Sequence, residues 1–529
     1  MSAVAIDTTT AGASGPLYRD LIDRGARQHP DRVAIEFEGA TLSFADVDRQ
    51  SARMANAFHA LGHGHGARVA LLVDNGLLSV PLDFACVRAG INRVPLNSRL
   101  SAREHAQMLR DTRVSALVYG PDLAARAAEL AAAVPGLALL SLGAVEGGGA
   151  DLLAQAASLA DTPPAIAVSP DDVVLTLFTS GTTGTLKAAQ HTQSSYAAIC
   201  RNVLLNLLPA GPDDAMLHAA SLIHASGVFV LPFWLRGGRT VVMRGFEPDA
   251  FLAHLSSGRI SAINLVPTML AMLLDRSGAA SVDLGRLRYI IYGASPMPRP
   301  VIERAMAMWG QDRFWQYYGQ TECPLTIAVL RPEDHVPALL GAAGRPSLDV
   351  EIRIIDEAGH DVPPGMPGEI ALRGPSRMIG YLDAPALNAE TLMADGWMRT
   401  RDIGRICERG VLHLLDRTSD MIVTGGYNVY PREVEDVLAA HPAVAECAVI
   451  GLADPQWVEA VTAVVALRPD HAHLAADPEG LAEALRAFAG ERLAGYKKPR
   501  RVIVVDAVPK TAVGKINRKS LRDSHRMPG

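Results

Sequence analysis

Short β-branched runs alternate along residues 17–345 with longer stretches whose apolar positions recur at helical spacing. ARVALLVDN (67–75), VSALVYG (114–120), VVLTLFTSG (173–181), SAINLVP (261–267) and LRYIIYGAS (287–295) are nearly unbroken apolar runs. Runs of strand length with apolar residues on both faces predict strands buried inside a sheet. FADVDRQSARMANAFHALG (44–62) and RPVIERAMAMWG (299–310) have the periodicity of amphipathic helices. Such alternation predicts layered α/β architecture with a largely parallel sheet, in which ligands gather at the carboxyl ends of strands. VEGGG (145–149) and DTPPAIAVSP (161–170) interrupt the pattern and read as linkers.

The texture changes after about residue 346, where VEIRIID (350–356), GEIALRG (368–374) and VLHLLDR (411–417) predict short strands in a small β-rich subdomain. From about 417, PREVEDVLAAHP (431–442), ECAVIGLAD (446–454), AVTAVVAL (460–467) and AEALRAFAGERL (482–493) suit a compact α+β domain. The expected division is a flexible tail at 1–16, a large N-terminal domain at 17–415 and a small C-terminal domain at 416–529. The chain has no internal repeat.

Composition narrows the function classes. The chain has 529 residues, too many for one ordinary domain, and its 49% hydrophobic and 20% charged residues suit a globular protein with a large core. A net charge of −6 argues against broad nucleic-acid binding. No apolar stretch approaches the ~18 residues of a membrane helix, and the opening MSAVAIDTTTAGASGP lacks the pattern of a signal peptide. Cys86, Cys200, Cys323, Cys407 and Cys447 are scattered without a CxxC pair, so a zinc site or disulfide framework is not expected and the reducing cytoplasm is the default location.

LFTSGTTGTLKAAQ (177–190) concentrates hydroxyls and glycines on one short loop. Glycine lets backbone N–H groups approach an anion and Ser/Thr add donors, so the loop reads as phosphate-binding. It is not a Walker loop, which has four residues between its glycines followed by Gly-Lys-Ser/Thr. Only Thr182 and Thr183 separate Gly181 from Gly184, and Lys187 lies between Leu186 and Ala188. Standing alone, it would also suit a flexible turn.

Four further stretches follow in order: YYGQTEC (317–323), GWMRTRDIGRI (396–406), LLDRTSDMIVTGGYNVYPREVE (414–435) and PKTAVGKINRKSLR (509–522). The ordered set resembles the adenylate-forming superfamily of acyl-CoA synthetases, amino-acid-activating domains and beetle-type luciferases, over nearly the whole chain. The resemblance implies that Thr179, Ser180, Gly181, Thr182, Thr183, Gly184 and Lys187 hold the β- and γ-phosphates of ATP. It implies that Glu322 holds Mg²⁺, with Thr321 on a phosphate oxygen, and that Tyr318 stacks on adenine. Gly293, Ala294 and Ser295, in YGASPM (292–297), match the segment lining the adenine and acyl sites. Asp402 would anchor the ribose, although Arg401 stands before it where the family often has a small residue, and Arg417 would lie nearby. Lys515 would reach from the C-terminal domain to the carboxylate and α-phosphate, while Asp416 matches the hinge about which that domain turns. Leu186 and Ala188 replace the family's usual Pro and Gly, changes expected to tune loop mobility without removing a donor.

SLIHASGVF (221–229) bears on the acid. Amino-acid-activating relatives carry an Asp in this region, absent here, and an unpaired ammonium in an apolar pocket would be costly. By resemblance His224 closes an acyl pocket; alone it would suit a core histidine. Gly425 and Gly426 would line a pantetheine tunnel, or simply make a hairpin turn. In GLADPQWVEAVTA (451–463), Trp457 would contact CoA or pack between strands.

The expectation is an AMP-forming carboxylate–CoA ligase using ATP, Mg²⁺ and CoA on an aromatic, alicyclic or medium-chain acid, with a homodimer left open. Three alternatives stand: transfer to a carrier-protein phosphopantetheine, an oxidative light-emitting relative, and a non-catalytic nucleotide-binding protein.

Overall fold

A computed structural model describes residues 15–180, 186–417, 420–511 and 515–525. Of the tail expected at 1–16, residues 1–14 lie outside the described residues, as do Gly181, Thr182, Thr183, Gly184 and the side chain of Ser180. The predicted strands occur as Arg68–Leu72, Ala116–Tyr119, Val173–Ser180, Ala262–Leu265 and Tyr289–Gly293, and the predicted helices as Phe44–Ala60 and Arg299–Trp309. Phe44–Ala60 starts where it does because Ser43 Oγ accepts the Asp46 N–H (3.0 Å) while the Asp46 carboxylate accepts the Ser43 N–H (2.9 Å), a reciprocal cap.

Among the described residues two large sheets form the body. An eight-stranded sheet runs Gly380–Tyr381, Leu186–Thr192, Val173–Ser180, Asn92–Pro95, Arg68–Leu72, Ala116–Tyr119, Ala138–Ser141, Ala150–Asp151. It is parallel from Val173–Ser180 onward and antiparallel at its first two pairings. A nine-stranded sheet has a parallel centre, including Ala262–Leu265, Tyr289–Gly293 and Phe314–Gln320, with antiparallel strands at both margins. The candidate phosphate loop therefore joins two antiparallel strands, with Thr179 opposite Lys187. A Walker loop instead runs directly from strand into helix. Here the helix, Gln193–Asn206, begins only after the return strand, capped by Thr192.

The β-rich subdomain is a four-stranded antiparallel sheet of Glu351–Ile355, Gly368–Arg373, Met398–Ile406 and Leu412–Arg417. The C-terminal part packs helices Pro431–Ala439 and Pro478–Gly490 on a five-stranded sheet whose longest pair is Val444–Asp454 with Val458–Leu467.

Two guanidinium groups are buried in the body. Arg88, 1% exposed, donates to Asp23 Oδ1 (2.8 Å), Asp48 Oδ1 (2.5 Å), Asp48 O (2.9 Å) and Ser51 Oγ (2.7 Å). It thereby ties helices Tyr18–Gln28, Phe44–Ala60 and Ser79–Arg88 together. Arg88→Ala should destabilise the body by about 3 kcal/mol, because two carboxylates lose their common counter-ion. Arg88→Lys should recover only part, since an ammonium cannot reach all four acceptors. Urea unfolding followed by tryptophan fluorescence would measure both.

Candidate active site

The Thr-Glu pair forms the two-residue turn between strands Phe314–Gln320 and Cys323–Leu330, where Gln320 pairs with Cys323. Three contacts fix this turn. His191 Nε2 donates to Thr321 O (2.7 Å), Met378 N–H donates to Glu322 O (2.7 Å), and Tyr381 Oη–H donates to Glu322 Oε1 (2.6 Å). Burial lowers His191 to about 4, so it is a neutral donor. Burial and the Glu322 charge raise the Tyr381 phenol well above its ordinary value. The Lys187 ammonium lies 5.9 Å from the centre of the Tyr381 ring, within cation–π range. Glu322, Tyr381 and Lys187 thus form one chain of contacts from the turn to the return strand of the candidate phosphate loop.

Asp402 is 8% exposed on Met398–Ile406 and faces Arg417 on the adjacent strand. Its Oδ2 accepts from Tyr318 Oη (2.6 Å) and Gln320 Nε2 (2.5 Å), and its Oδ1 lies 3.4 Å from Arg417 Nε. Tyr318 is itself only 6% exposed. A carboxylate offers about four acceptor positions, so Oδ1 retains room for one more donor. Arg401 adopts φ +62°, donates its N–H to Glu369 Oε1 (3.0 Å) and pairs with Glu390 (2.8 Å). This left-handed backbone gives a physical reason for a small residue there, since a side chain is strained in that region.

Lys515 comes from the C-terminal end. Its segment is closed by Thr511 N–H to Lys515 O (2.7 Å) and Lys515 N–H to Thr511 Oγ1 (3.2 Å). The ammonium sits in the field of Arg417, Asp402 and Glu322, yet makes no ion pair among the described residues. Desolvation, then repulsion from Arg417, lowers it to about 8, with the two carboxylates opposing.

His224 precedes the helical turn Ala225–Phe229. Arg99 N–H donates to Asn97 Oδ1 (3.1 Å), which turns Asn97 Nδ2 toward His224 Nε2 (3.3 Å). Nε2 must accept, so the ring proton is on Nδ1. Burial, then the Lys515 and Arg99 charges, lowers His224 to about 4 and keeps it neutral.

Gly293 ends its strand against Tyr317, and a Cβ there would lie 2.5 Å from Tyr317 O. Ala294 has φ +66°, a strained conformation for a residue with a side chain, and the partly exposed Ser295 follows. The Asp416 carboxylate accepts the N–H groups of Arg417 (2.7 Å) and Arg432 (3.0 Å), and burial raises it to about 6. Gly425 (φ +57°) and Gly426 (φ +83°) make the two-residue turn between Ile422–Thr424 and Tyr427–Val429, a shape that demands positive φ twice. Gly425 N–H donates to Trp457 O (2.9 Å), and the Arg500 guanidinium covers the Trp457 ring at 3.6 Å.

The structure therefore gathers Thr179, Lys187, Thr321, Glu322, Tyr318, Asp402, Arg417, Lys515 and His224 around one region. Gly425, Gly426 and Trp457 form a second cluster, linked to the first by no hydrogen bond among the described residues. Sequence reasoning missed Gln320, Tyr381, Asn97, Arg99 and His191. Gln320 was legible beside Thr321. The others come from distant segments and carry no local signal.

The geometry defines a cluster of charged groups drawn from the large N-terminal part and the smaller C-terminal part. The chain matches the model of the AMP-binding enzyme over residues 22–382 and that of the AMP-binding enzyme C-terminal domain over 433–515. It belongs to this family of adenylate-forming enzymes, in its acyl- and aryl-CoA ligase branch. It is 38% identical over 504 residues to a feruloyl-CoA synthase of an Amycolatopsis species, covering 94% of this chain and 97% of that one. It is 35% identical over 506 residues to the fatty acid–[acyl-carrier-protein] ligase ScoC of Streptomyces coeruleorubidus, covering 94% of each. Among solved structures, the amide bond synthetase McbA of Marinactinospora thermotolerans superposes with a TM-score of 0.87 at 32% identity, over 96% of this chain and all of that one.

Lys515 is half-protonated near pH 8, so kcat/KM for acid-dependent pyrophosphate release should fall as pH rises through about 8. Lys515→Arg should remove that alkaline decline from whatever activity it retains, because a guanidinium stays charged. Asn97→Ala should raise KM for the acid roughly fivefold, the cost of about one hydrogen bond, with KM for ATP unchanged. Initial rates with each substrate varied in turn would separate these effects.

Proposed function

We propose that this chain condenses a carboxylic acid with ATP to an acyl-adenylate and pyrophosphate, then passes the acyl group to the thiol of CoA with release of AMP. The observation that carries the reading is Lys515, an ammonium from the small domain that makes no ion pair among the described residues, set in the field of Asp402 and Glu322 of the large domain and of Arg417 at the junction between the two. Attack of a carboxylate oxygen on the α-phosphorus concentrates negative charge on the phosphates, which the cations here suit. Lys515 bridges the carboxylate and α-phosphate, and Lys187 with Thr179 and Ser180 meets the outer phosphates. Asp402 accepts from a ribose hydroxyl at Oδ1, while Arg417 neutralises its charge.

The donor set fits Mg²⁺. Glu322 has Oε1 on Tyr381 and no hydrogen bond at Oε2 among the described residues, and no cluster of three or more His, Cys, Asp or Glu stands nearby to cage an ion. A cation that takes one or two carboxylates and completes its shell with phosphate and water suits such a site. Bound there, it would supply charge neutralisation on the phosphates.

The acyl body lies beside His224, whose neutral Nδ1–H orients rather than charges the pocket. The stretch 221–229 has no carboxylate, which favours an acid without an ammonium group. We take the substrate to be an aromatic, alicyclic or medium-chain acid, with ferulate heading the panel on the strength of the 38% identical relative. Asp416 is the point about which the small domain turns between half-reactions, bringing Gly425 and Gly426 to the thiol. Five free cysteines suit a reducing compartment such as the cytoplasm.

The carrier-protein relative supports a second acceptor, since its name specifies that thiol carrier. Mass analysis of products from ATP, Mg²⁺ and a panel of acids, with and without CoA, tests the proposal. AMP with acyl-CoA is the expected result; an acyl-adenylate indifferent to CoA points to the carrier, and no acid-dependent pyrophosphate overturns the reading. Lys515→Ala should cut adenylation about 10²–10³-fold, as loss of one fixed donor does. Thioester formation from supplied acyl-adenylate should change far less, and equal losses would remove Lys515 from this role.

A further inference from the structure

Lys515 makes no ion pair among the described residues, so another contact must hold the small domain over the site before any ligand neutralises the charge. Repulsion from Arg417 acts against that placement. Among the described residues, only one hydrogen bond runs between 420–525 and 15–415, from Arg432 Nη2 to Gly341 O (3.1 Å). Arg432 is 8% exposed, at the start of helix Pro431–Ala439. Its own backbone N–H is held by Asp416 (3.0 Å), so the helix N-terminus is tied to the strand from which the small domain departs. Its Nε lies 3.8 Å from Asp436 Oδ2, one helical turn on, which steers the guanidinium from behind.

Gly341 is well placed to receive it. It has φ +88°, in a turn between two body strands, Cys323–Leu330 and Arg345–Pro346. The flanking Leu339 and Ala342 are buried with Leu330 and Val411. The carbonyl is therefore fixed to the body, while the guanidinium is fixed to the small domain. Turning the small domain about Asp416 would carry Arg432 away from Gly341.

We propose that Arg432 is a positioning residue that clasps the Gly341 carbonyl and holds the small domain in the pose that presents Lys515, thereby setting the balance between the two half-reactions. The inference rests on the ligase reading for its kinetic consequence, but the clasp itself has a readout independent of activity. Arg432 makes its contacts with Gly341, Asp416 and Asp436, outside the cluster around Lys515. It favours adenylation by keeping Lys515 over the site, and it resists the turn that transfer to the thiol requires.

The test compares the full chain with Arg432→Gln and Arg432→Lys. Arg432→Gln should lower ATP–pyrophosphate exchange roughly tenfold, the loss expected for one hydrogen bond from a charged group. Thioester formation from supplied acyl-adenylate should stay level or rise, and Arg432→Lys should restore part of the exchange. Equal losses in both half-reactions would show a merely structural role and overturn the proposal, as would no change in either. Amide hydrogen exchange provides the second readout: residues 339–343 and 430–434 should exchange faster in Arg432→Gln, with the core strand 458–467 unaffected. Unchanged protection at both segments would refute the clasp even if the enzyme accepts no acid tested. Absence of exchange by the unaltered chain, with protection lost in the variant, would instead refute the ligase reading and leave the clasp standing.

Discussion

Arg93 lies 3% exposed on strand Asn92–Pro95 of the eight-stranded sheet, and much of the surrounding body is organised by keeping its charge satisfied. Its Nε pairs with Asp83 (2.5 Å), its Nη1 donates to Val174 O (2.7 Å), and its guanidinium lies over the rings of Tyr18 and Tyr196 at 5.4 and 5.1 Å. Those rings stack on each other at 4.4 Å, and the Tyr18 hydroxyl donates to Asp83 (2.8 Å). An isolated charge at such a depth would cost several kcal/mol, so every partner is constrained to its place. The partners belong to the first helix, the helix Ser79–Arg88, the strand that leads to the candidate phosphate loop, and the helix that follows that loop. The loop is thus hung from a framework whose geometry the buried cation enforces.

Above that framework the cluster has the opposite character. Among the described residues Lys187 and Lys515 make no ion pair and Arg417 pairs with Asp402 alone, and repulsion between Arg417 and Lys515 depresses Lys515. The protein has placed donors where protein acceptors are short. An arrangement of this kind is stabilised by anions from outside, and its pieces come from two domains that need not always meet. The charges buried beneath the site have carboxylate partners, whereas at the site itself cations outnumber the protein acceptors paired with them among the described residues.

How much of this was legible in the sequence follows from how local each signal is. The buried strands and amphipathic helices were readable because their apolar spacing is a property of single segments. The ordered motifs located Glu322, Asp402, Arg417 and Lys515, and the structure brings these together. The hairpin course of the loop was not readable: LKAAQHT has no alternation that distinguishes a return strand from the start of a helix. Asn97, Tyr381 and His191 were invisible because each acts on a residue tens or hundreds of positions away, and nothing near them in sequence marks the meeting. Arg432 was hidden differently, lying inside a motif already assigned to other purposes.

Tyr381 illustrates what such remote contacts imply for how this chain tolerates change. It sits on a two-residue strand against Ala189, with its hydroxyl on Glu322, while Met378 three residues earlier binds the Glu322 carbonyl. Side chains alternate across a strand, so adding or deleting one residue between 374 and 380 would turn Tyr381 to the opposite face of the sheet. The segment therefore works as a ruler. Its amino acids can drift where they do not touch Glu322, but its length is fixed by the distance between a turn in one sheet and the edge of the other.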